Sequence, residues 1–219
     1  MQMVSALKYL NTMEKAVIHY DLKPGNILLC QDSLGNIKIT DFGLSKQLEP
    51  SSSPHDGIDL TSQGAGTYWY LPPECFVRGI DGKPPRIDNK VDVWAVGVIF
   101  YQCLFGKKPF GHNMSQEAIL KSNTILKATE VQFPPNPKIN ESCKDFIRKC
   151  LAYQKDDRSD VFGLANHVYL QPVQRKPRSD SKQAADARQM RMAQSMGKNS
   201  SIVMENNRDQ PTPPPAMTD

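Results

Sequence analysis

The sequence has little cysteine, and its cysteines and histidines do not fall at the spacing of a metal site. Five cysteines occur among 219 residues, at Cys30, Cys75, Cys103, Cys143 and Cys150, without a C-x-x-C pair, and the four histidines are scattered. A disulfide framework and a zinc framework are therefore both unexpected. We expect reduced thiols, most of them packed in the interior of an intracellular protein.

Long apolar runs are also missing. No stretch approaches the ~20 apolar residues that a membrane-spanning helix needs. The first residues, MQMVSALKYLN, show no basic region followed by an apolar stretch and a cleavage site. We therefore expect no membrane contact and no secretion, and a location in the cytosol or the nucleus.

Apolar residues at positions 3, 4, 7, 10 and 13 recur at helical spacing from the start of the sequence. No Ser, Thr, Asp or Asn precedes this predicted helix to cap it. We therefore expect that the chain begins inside an amphipathic helix and is cut from something longer.

Large aliphatic residues are few in the last fifty positions, so we expect a folded domain over residues 1–170 and a disordered tail over 171–219. The tail holds eight Lys/Arg and five Asp/Glu, hence +3 of the net charge of +4. Its basic cluster at 175–178 fits an anionic partner or a sorting signal, but we favour a solubilising role. Direct nucleic-acid binding is not expected, because acidic residues dilute the basic ones and no aromatics are interleaved.

Helical and strand patterns along residues 1–170 predict an α+β fold. Two short strands, 27–29 and 37–40, are joined by a polar turn and predict a small β-hairpin. Residues 41–74 indicate a long functional loop. A strongly apolar run over 90–104, with Trp94 inside it, predicts a buried central helix. Further helical patterns occur at 115–126, 141–151 and 161–166.

Two motifs flank the predicted hairpin. HYDLKPGN, at 19–26, resembles the catalytic loop H-R-D-x-x-x-x-N of protein kinases, and Asp-Phe-Gly follows fifteen residues after Asn26. Phosphoryl transfer to an alcohol needs a carboxylate that orients the hydroxyl and accepts its proton, and Asp21 fits that role. It also needs magnesium among the phosphates of ATP, which Asn26 and Asp41 would hold.

GTYWYLPPE, at 66–74, resembles the end of a kinase activation segment. The resemblance implies that Glu74 pairs with Arg158 and that Asp92 accepts backbone N–H bonds beneath the catalytic loop. Without the preceding motifs, Asp92 and Arg158 would be interpreted as ordinary surface or cap charges. The resemblance also gives supporting roles to these residues of the two motifs: His19, Phe42 and Gly43.

The residue types at positions 23 and 67 favour serine/threonine specificity. D-L-K-P-x-N resembles the loop of Ser/Thr kinases, in which the lysine steadies the transferred phosphate, and Lys23 matches it. Thr67 resembles the threonine that hydrogen-bonds the catalytic aspartate and this lysine. The resemblance therefore implies Asp21, Lys23 and Thr67 as the catalytic set.

Tyr20 departs from the family pattern, which usually has arginine after the catalytic-loop histidine. That arginine neutralises a phosphate on the activation loop through charge-assisted bonds that a phenol cannot equal. We therefore predict that activity depends little on a phosphate clamped there. The segment still offers the hydroxyls of Ser51, Ser52, Ser53, Thr61 and Ser62, although a Ser-rich stretch is more often simply a flexible loop.

From its first residues to about Leu170, the chain closely resembles the Tousled-like kinases, through HYDLKPGNILL, IKITDFGLSK, DLTSQGAGTYWYLPPECF, NKVDVWAVGVIFYQCLFGKKPFGHN and ILKATEVQFP. The resemblance implies a nuclear Ser/Thr kinase that acts on histone chaperones of the anti-silencing type in chromatin assembly. It also implies oligomerisation through a coiled-coil region outside this sequence.

The printed sequence contains no glycine-rich G-x-G-x-x-G loop and no V-A-I-K-type lysine, which cover and contact the nucleotide phosphates. Two hypotheses follow. The chain is part of an active Ser/Thr kinase, or it acts alone as a non-catalytic module that binds or competes for substrate. In either case we predict that the isolated chain shows no measurable ATP-dependent phosphorylation.

Overall fold

The computed structural model describes residues 1–31, 35–48, 57–61, 64–77 and 83–171. Within them, the predicted α+β class is confirmed. The helices are α1 (Gln2–Asn11), α2 (Lys90–Phe105), α3 (Gln116–Ser122), α4 (Glu141–Cys150) and α5 (Val161–Ala165). The strands are β1 (Val17–Ile18), β2 (Ile27–Leu29), β3 (Ile37–Ile39), β4 (Lys46–Gln47), β5 (Ile58–Asp59) and β6 (Arg86–Ile87). The tail predicted over 171–219 lies, beyond its first residue, outside the described residues.

Helix α1 holds the hairpin that carries the two motifs. Its apolar face buries Val4 and Leu7, and the helix packs against α5, β1 and β3. The side chain of Gln2 meets the hairpin edge. Its amide nitrogen donates to the Gly35 carbonyl at 3.1 Å, and its amide oxygen accepts the Ile37 N–H at 2.8 Å.

Helix α2 is the centre of the core, as the sequence predicts. Ten of its sixteen residues are buried, and they occur on all sides of the helix, which is typical of a helix surrounded by protein. Trp94 is fully buried among them. Gly106 follows the last residue of the helix, and its left-handed conformation (φ 67°) lets its N–H donate to the Gln102 carbonyl at 2.9 Å.

Helices α3, α4 and α5 each begin at a capping side chain. An oxygen of Ser115, Asn140 or Asp160 accepts an N–H of the first turn at 3.1, 2.8 and 2.7 Å, respectively. Helix α3 ends at Ser122, four residues before the predicted end at 126. Asn123 follows in the left-handed region (φ 54°), which asparagine adopts at low cost and which ends a helix.

The prediction of one hairpin was incomplete, because the described residues form three two-stranded antiparallel sheets. Strands β2 and β3 form the predicted hairpin, with Ile27 opposite Ile39. Strand β1 pairs with β4, and β5 pairs with β6. The two additional sheets have strands of two residues, too short to show an alternating pattern. Both sheets tie the segment after Asp-Phe-Gly to distant parts of the chain.

The cysteines are free thiols, and Cys75, Cys143 and Cys150 are buried whereas Cys103 is exposed. Among the helices that the structure describes, none combines the length and apolar character needed to cross a membrane.

Close packing of α2 on α4 depends on Gly97. A methyl group there would lie 2.6 Å from the Cys150 Cβ and 2.8 Å from the Leu151 Cδ2. We expect Gly97→Ala to lower the free energy of unfolding by about 1–3 kcal/mol, because the helices must move apart. Urea unfolding of the 219-residue chain checks this. Gly25→Ala, at a glycine with open space around it, is the control and should change stability by less than about 0.5 kcal/mol.

Candidate active site

The hairpin places the two motifs side by side. Because Ile27 pairs with Ile39, Asn26 stands opposite Thr40, whose N–H donates to the Asn26 carbonyl at 3.0 Å. Asp41 is the residue after Thr40 and is therefore held near Asn26. Tyr20 and Asp41 both have positive φ, 69° and 63°. Such backbone is costly for residues other than glycine and is typical of functional sites.

The carboxylate of Asp92 holds the start of the catalytic-loop segment, residues 19–26. Its Oδ2 accepts the His19 N–H at 2.7 Å, and its Oδ1 accepts the Tyr20 N–H at 2.9 Å. The carboxyl is fully enclosed at the beginning of α2. Burial raises the pKa of Asp92 to about 6, although the two N–H bonds oppose this effect. This contact is the one that the family resemblance implies for Asp92.

Asp21, Lys23 and Thr67 form a closed triangle of hydrogen bonds. The Lys23 Nζ lies 2.6 Å from the Asp21 Oδ2, and the Thr67 hydroxyl donates to the Asp21 Oδ1 at 2.8 Å. Lys23 also donates to the Thr67 hydroxyl at 3.3 Å. The Asn26 amide donates to the Asp21 carbonyl at 2.9 Å and to its Oδ2 at 3.3 Å. The orientation of the Asp21 carboxylate is thus fixed by three side chains.

His19, Phe42 and Gly43 make contacts at the Asp-Phe-Gly turn. The buried His19 ring has its Nε2 3.0 Å from the Thr40 carbonyl oxygen, and its centroid lies 4.8 Å from that of Phe42. The Gly43 N–H donates to the Asp41 Oδ1 at 3.3 Å. These contacts join the catalytic-loop segment to the Asp-Phe-Gly turn.

Asn26 and Asp41 suit magnesium by the chemistry of their donors. Both present oxygen ligands, an amide and a carboxylate, which hard divalent cations prefer. The Asn26 nitrogen is occupied by Asp21, so the amide oxygen remains available as a ligand. No cluster of three or more His, Cys, Asp or Glu side chains occurs within the described ranges. A cation here would therefore take its other ligands from phosphate oxygens and water, as Mg²⁺ commonly does.

A buried ion pair anchors the segment that contains Thr67. The Arg158 guanidinium donates to both oxygens of Glu74, at 2.7 and 3.0 Å. Arg158 also donates to the Ala152 carbonyl at 3.1 Å and lies over the Trp94 ring, 5.0 Å from its centroid. The Arg158 side chain has no exposed surface. The bidentate geometry fixes residues 66–74 against α2.

Comparison with known families agrees with this geometry. The profile described as "Protein kinase domain" matches residues 1–170. The chain belongs to the protein kinase family.

Within the family, the chain is similar to Tousled-like serine/threonine kinases. It is 64% identical over 180 residues to "Serine/threonine-protein kinase tousled-like 1" of Mus musculus, an alignment that covers 82% of this chain and 23% of the relative. It is 56% identical over 170 residues to "Serine/threonine-protein kinase TOUSLED" of Arabidopsis thaliana, covering 77% of this chain and 24% of that relative. The chain thus spans about a quarter of the length of these curated relatives. The resemblance inferred from the motifs is confirmed.

The chain buries Tyr20 at the position where most family members have arginine. Its ring lies in a cluster with Ile18, Leu60, Leu71, Cys75, Ile87 and Val91. The Lys46 ammonium lies 5.4 Å from the ring centroid, within range of a cation–π contact. The sequence analysis considered only the phosphate contact that is lost when tyrosine replaces the usual arginine. It found neither the packing of Tyr20 nor the part played by Lys46, because nothing in local spacing signals a contact between these positions.

Two further contacts of the Thr67 segment were also missed. The Tyr68 N–H donates to the Gln116 side-chain oxygen at 2.9 Å, and the Trp69 indole donates to the Gly111 carbonyl at 2.8 Å. Both partners lie more than forty residues away along the chain. No motif or periodicity could have linked them.

The raised pKa of Asp92 makes a pH-dependent contribution to stability. The folded chain binds a proton at Asp92 at higher pH than the unfolded chain, whose carboxyl titrates near 4. The contribution therefore falls as pH rises from about 4 to about 6 and is constant above that window. We expect the difference in the free energy of unfolding between the wild type and Asp92→Asn to fall by on the order of 2 kcal/mol across this pH window.

Urea unfolding at a series of pH values measures this difference, and ¹³C NMR of the Asp92 carboxyl gives its pKa directly. A difference that grows with pH over the same window would contradict the assignment, since it would indicate a lowered pKa.

The Glu74–Arg158 pair gives a second stability prediction. Glu74→Gln leaves the buried guanidinium without its counter-charge, so we expect a loss of about 3 kcal/mol or more in the free energy of unfolding. The control is Glu117→Gln, which removes an exposed pair with Lys121 at 2.7 Å on α3 and should cost less than about 0.5 kcal/mol. Equal losses for the two variants in urea unfolding would show that the buried pair does not anchor the segment.

Proposed function

We propose that the chain carries the acceptor and metal-binding side of a serine/threonine protein kinase site. The observation that supports this most directly is the triangle of Asp21, Lys23 and Thr67 beside Asn26 and Asp41. The triangle joins residues 46 positions apart through a 2.8 Å bond. It holds a carboxylate, whose side chain is 8% exposed, in a fixed orientation, as needed for a group that receives a proton from a substrate.

Asp21 acts as the proton acceptor. The substrate hydroxyl donates to the Asp21 carboxylate, and its oxygen forms the new bond to the γ-phosphorus of ATP while ADP leaves. The proton passes to Asp21. Thr67 and Lys23 hold the carboxylate in position, and the Lys23 ammonium, whose side chain is 30% exposed, can also reach the oxygens of the transferred phosphate.

Asn26 and Asp41 are the proposed magnesium ligands. Bound magnesium would neutralise charge that develops on the phosphates during transfer. The residues of this chain contribute the placement of the two oxygen ligands. The hairpin pairing sets Asn26, and the bond from Gly43 orients Asp41.

The packing of Tyr20 supports the earlier prediction that activity depends little on a clamped phosphate. An apolar cluster and the Lys46 contact occupy the place of the usual arginine. Of the hydroxyl residues named for that loop, Ser51, Ser52, Ser53 and Ser62 lie outside the described residues.

The finer predictions rest on the family resemblance. They are a protein substrate of the anti-silencing histone-chaperone type, a nuclear location, and oligomerisation of the whole protein through a region outside this sequence. Direct binding of nucleic acid or membranes is not proposed.

The activity can be tested in a chimaera that adds the glycine-rich loop and the lysine that cover and contact the nucleotide phosphates. The chain is joined at its first residue to the part of the mouse relative that precedes the matched segment. We expect the chimaera to phosphorylate Ser/Thr peptides with ATP and magnesium, and Asp21→Asn to lower kcat by about 100- to 10,000-fold. Asp156→Asn, at an exposed aspartate, is the matched control and should keep kcat within about twofold.

Retention of most activity by Asp21→Asn, or phosphate found on tyrosine instead of Ser/Thr, would overturn the proposal. The chain assayed alone separates the two hypotheses from the sequence. Absence of turnover by the chain alone, together with turnover by the chimaera, supports its place within an active kinase. If both are inactive but still bind a substrate protein, the non-catalytic module is supported instead.

A further inference from the structure

A groove of about 520 Å³ lies beside the loop that follows helix α2. One wall comes from residues 107–112 of this loop, and the other comes from residues 132–135, which precede α4. The groove is open to solvent, and its volume falls within the range of sites that bind ligands. None of the residues that line it belongs to the triangle of Asp21, Lys23 and Thr67 or to the proposed magnesium ligands.

The first wall of the groove is basic. Lys107, Lys108 and His112 line it, and neither aspartate nor glutamate occurs among the residues that line the groove. Lys107 is exposed and makes no ion pair in the described part of the chain. The Lys108 ammonium lies 4.6 Å from the centroid of the Trp69 ring. The Lys108 N–H donates to the His112 Nδ1 at 3.4 Å, so the His112 Nε2 carries the ring proton and is a further donor.

The second wall is apolar and rigid. Phe133 is half-buried, and its ring centroid lies 6.2 Å from that of Tyr101 and 6.3 Å from that of Phe105. The Arg148 guanidinium lies 5.2 Å from the same centroid, within range of a cation–π contact. These contacts hold the Phe133 ring, which also lines the groove beside the prolines at 134 and 135.

The prolines restrict how a ligand can be held. Pro109, Pro134 and Pro135 line the groove, and proline has no backbone N–H. A peptide therefore cannot pair with these positions as an added strand, which needs N–H groups from the protein. Its affinity has to come from side chains, through apolar contact with the second wall and ionic contact with the first. Because proline and a packed aromatic ring lose little freedom on binding, the groove is preorganised.

The surface around the groove is positive as well. Residues 105–139 contain five lysines and two glutamates. One of these glutamates, Glu117, already pairs with Lys121 at 2.7 Å. A lysine-rich surface is usually only a solvated one, but here the basic wall lines the same groove as an apolar wall. This combination favours a ligand that carries both acidic and apolar groups.

We propose that this groove binds an acidic segment of another protein, in which aspartate or glutamate residues flank one aromatic side chain. The aromatic ring packs on Phe133 and the adjacent prolines, and the carboxylates pair with Lys107 and Lys108. This binding goes beyond the proposed function, because it does not depend on phosphoryl transfer.

Binding is measured by fluorescence anisotropy between the 219-residue chain and a labelled peptide, GSDEDFDEDGS, without ATP. We expect saturable binding that weakens as sodium chloride is raised, because salt screens exposed charges. Alanine in place of the peptide's phenylalanine should weaken binding about three- to tenfold. Asparagine and glutamine in place of its acidic residues should weaken binding about tenfold or more.

The matched variants of the chain are Lys107→Glu and Lys127→Glu. Both change the net charge by the same amount, but only Lys107 lines the groove, and Lys127 is exposed elsewhere. We expect Lys107→Glu to weaken binding about three- to tenfold and Lys127→Glu to change it less than about twofold. The basic residues after position 171 are the same in both variants, so they do not affect the comparison. Urea unfolding verifies that both variants are folded.

Four outcomes would overturn the inference. Equal losses in the two variants would show attraction to the overall charge of the chain, and equal affinity for the phenylalanine and alanine peptides would show that the apolar wall is not used. Absence of saturable binding at millimolar peptide would show that the groove does not take such a segment. Tighter binding of a single-stranded oligonucleotide, abolished by Lys107→Glu, would assign the groove to nucleic acid. None of these results bears on the proposed function, which the chimaera tests separately.

Discussion

The buried carboxylate of Asp92 accepts the N–H groups of His19 and Tyr20, and the geometry of the site depends on this contact. The two bonds, at 2.7 and 2.9 Å, hold the beginning of the catalytic-loop segment on the first turn of α2. They satisfy two backbone donors that burial would otherwise leave without partners. Asp21 and Tyr20 are adjacent in sequence but have different surroundings. Asp21 belongs to the polar triangle, whereas the ring of Tyr20 packs in an apolar cluster.

Four separate contacts hold residues 66–74 in place, one of them to the catalytic-loop segment. Thr67 bonds to Asp21, the Glu74–Arg158 pair fixes the far end of the segment, and Gln116 and Gly111 hold its middle. The side chains of Tyr68 and Trp69 pack against the apolar core that includes the buried residues of α2. The strained backbone at Tyr20 and Asp41 persists because these surrounding contacts determine it from several sides.

Local patterns predicted the parts of the fold that local forces determine. The hairpin of β2 and β3 follows from two short apolar runs joined by a polar turn, and the helix Lys90–Phe105 follows from one long apolar run. The pairs β1–β4 and β5–β6 have two residues each, so they could not be found this way. The end of α3 depends on the left-handed backbone of Asn123, which a helical pattern does not show.

The residues of the candidate site also differ in whether local sequence could predict them. Asp21, Asn26 and Asp41 stand at motif spacing, and the sequence alone assigns them chemistry. The contacts of Thr67, Asp92 and Arg158 span 46 to 84 residues, and only the family resemblance implied them. Neither route found the cavity that Gly64, Tyr68, Cys75 and Leu120 line, because the sequence does not show that these residues lie around one space.

The most direct test of the account is a crystal structure of the chimaera with a non-hydrolysable ATP analogue, magnesium and a serine peptide. The account predicts the serine hydroxyl within about 3.2 Å of the Asp21 carboxylate. It also predicts oxygens of Asn26 and Asp41 at about 2.0–2.1 Å from the same magnesium ion. A serine hydroxyl held away from Asp21, or magnesium bound without either residue, would contradict it.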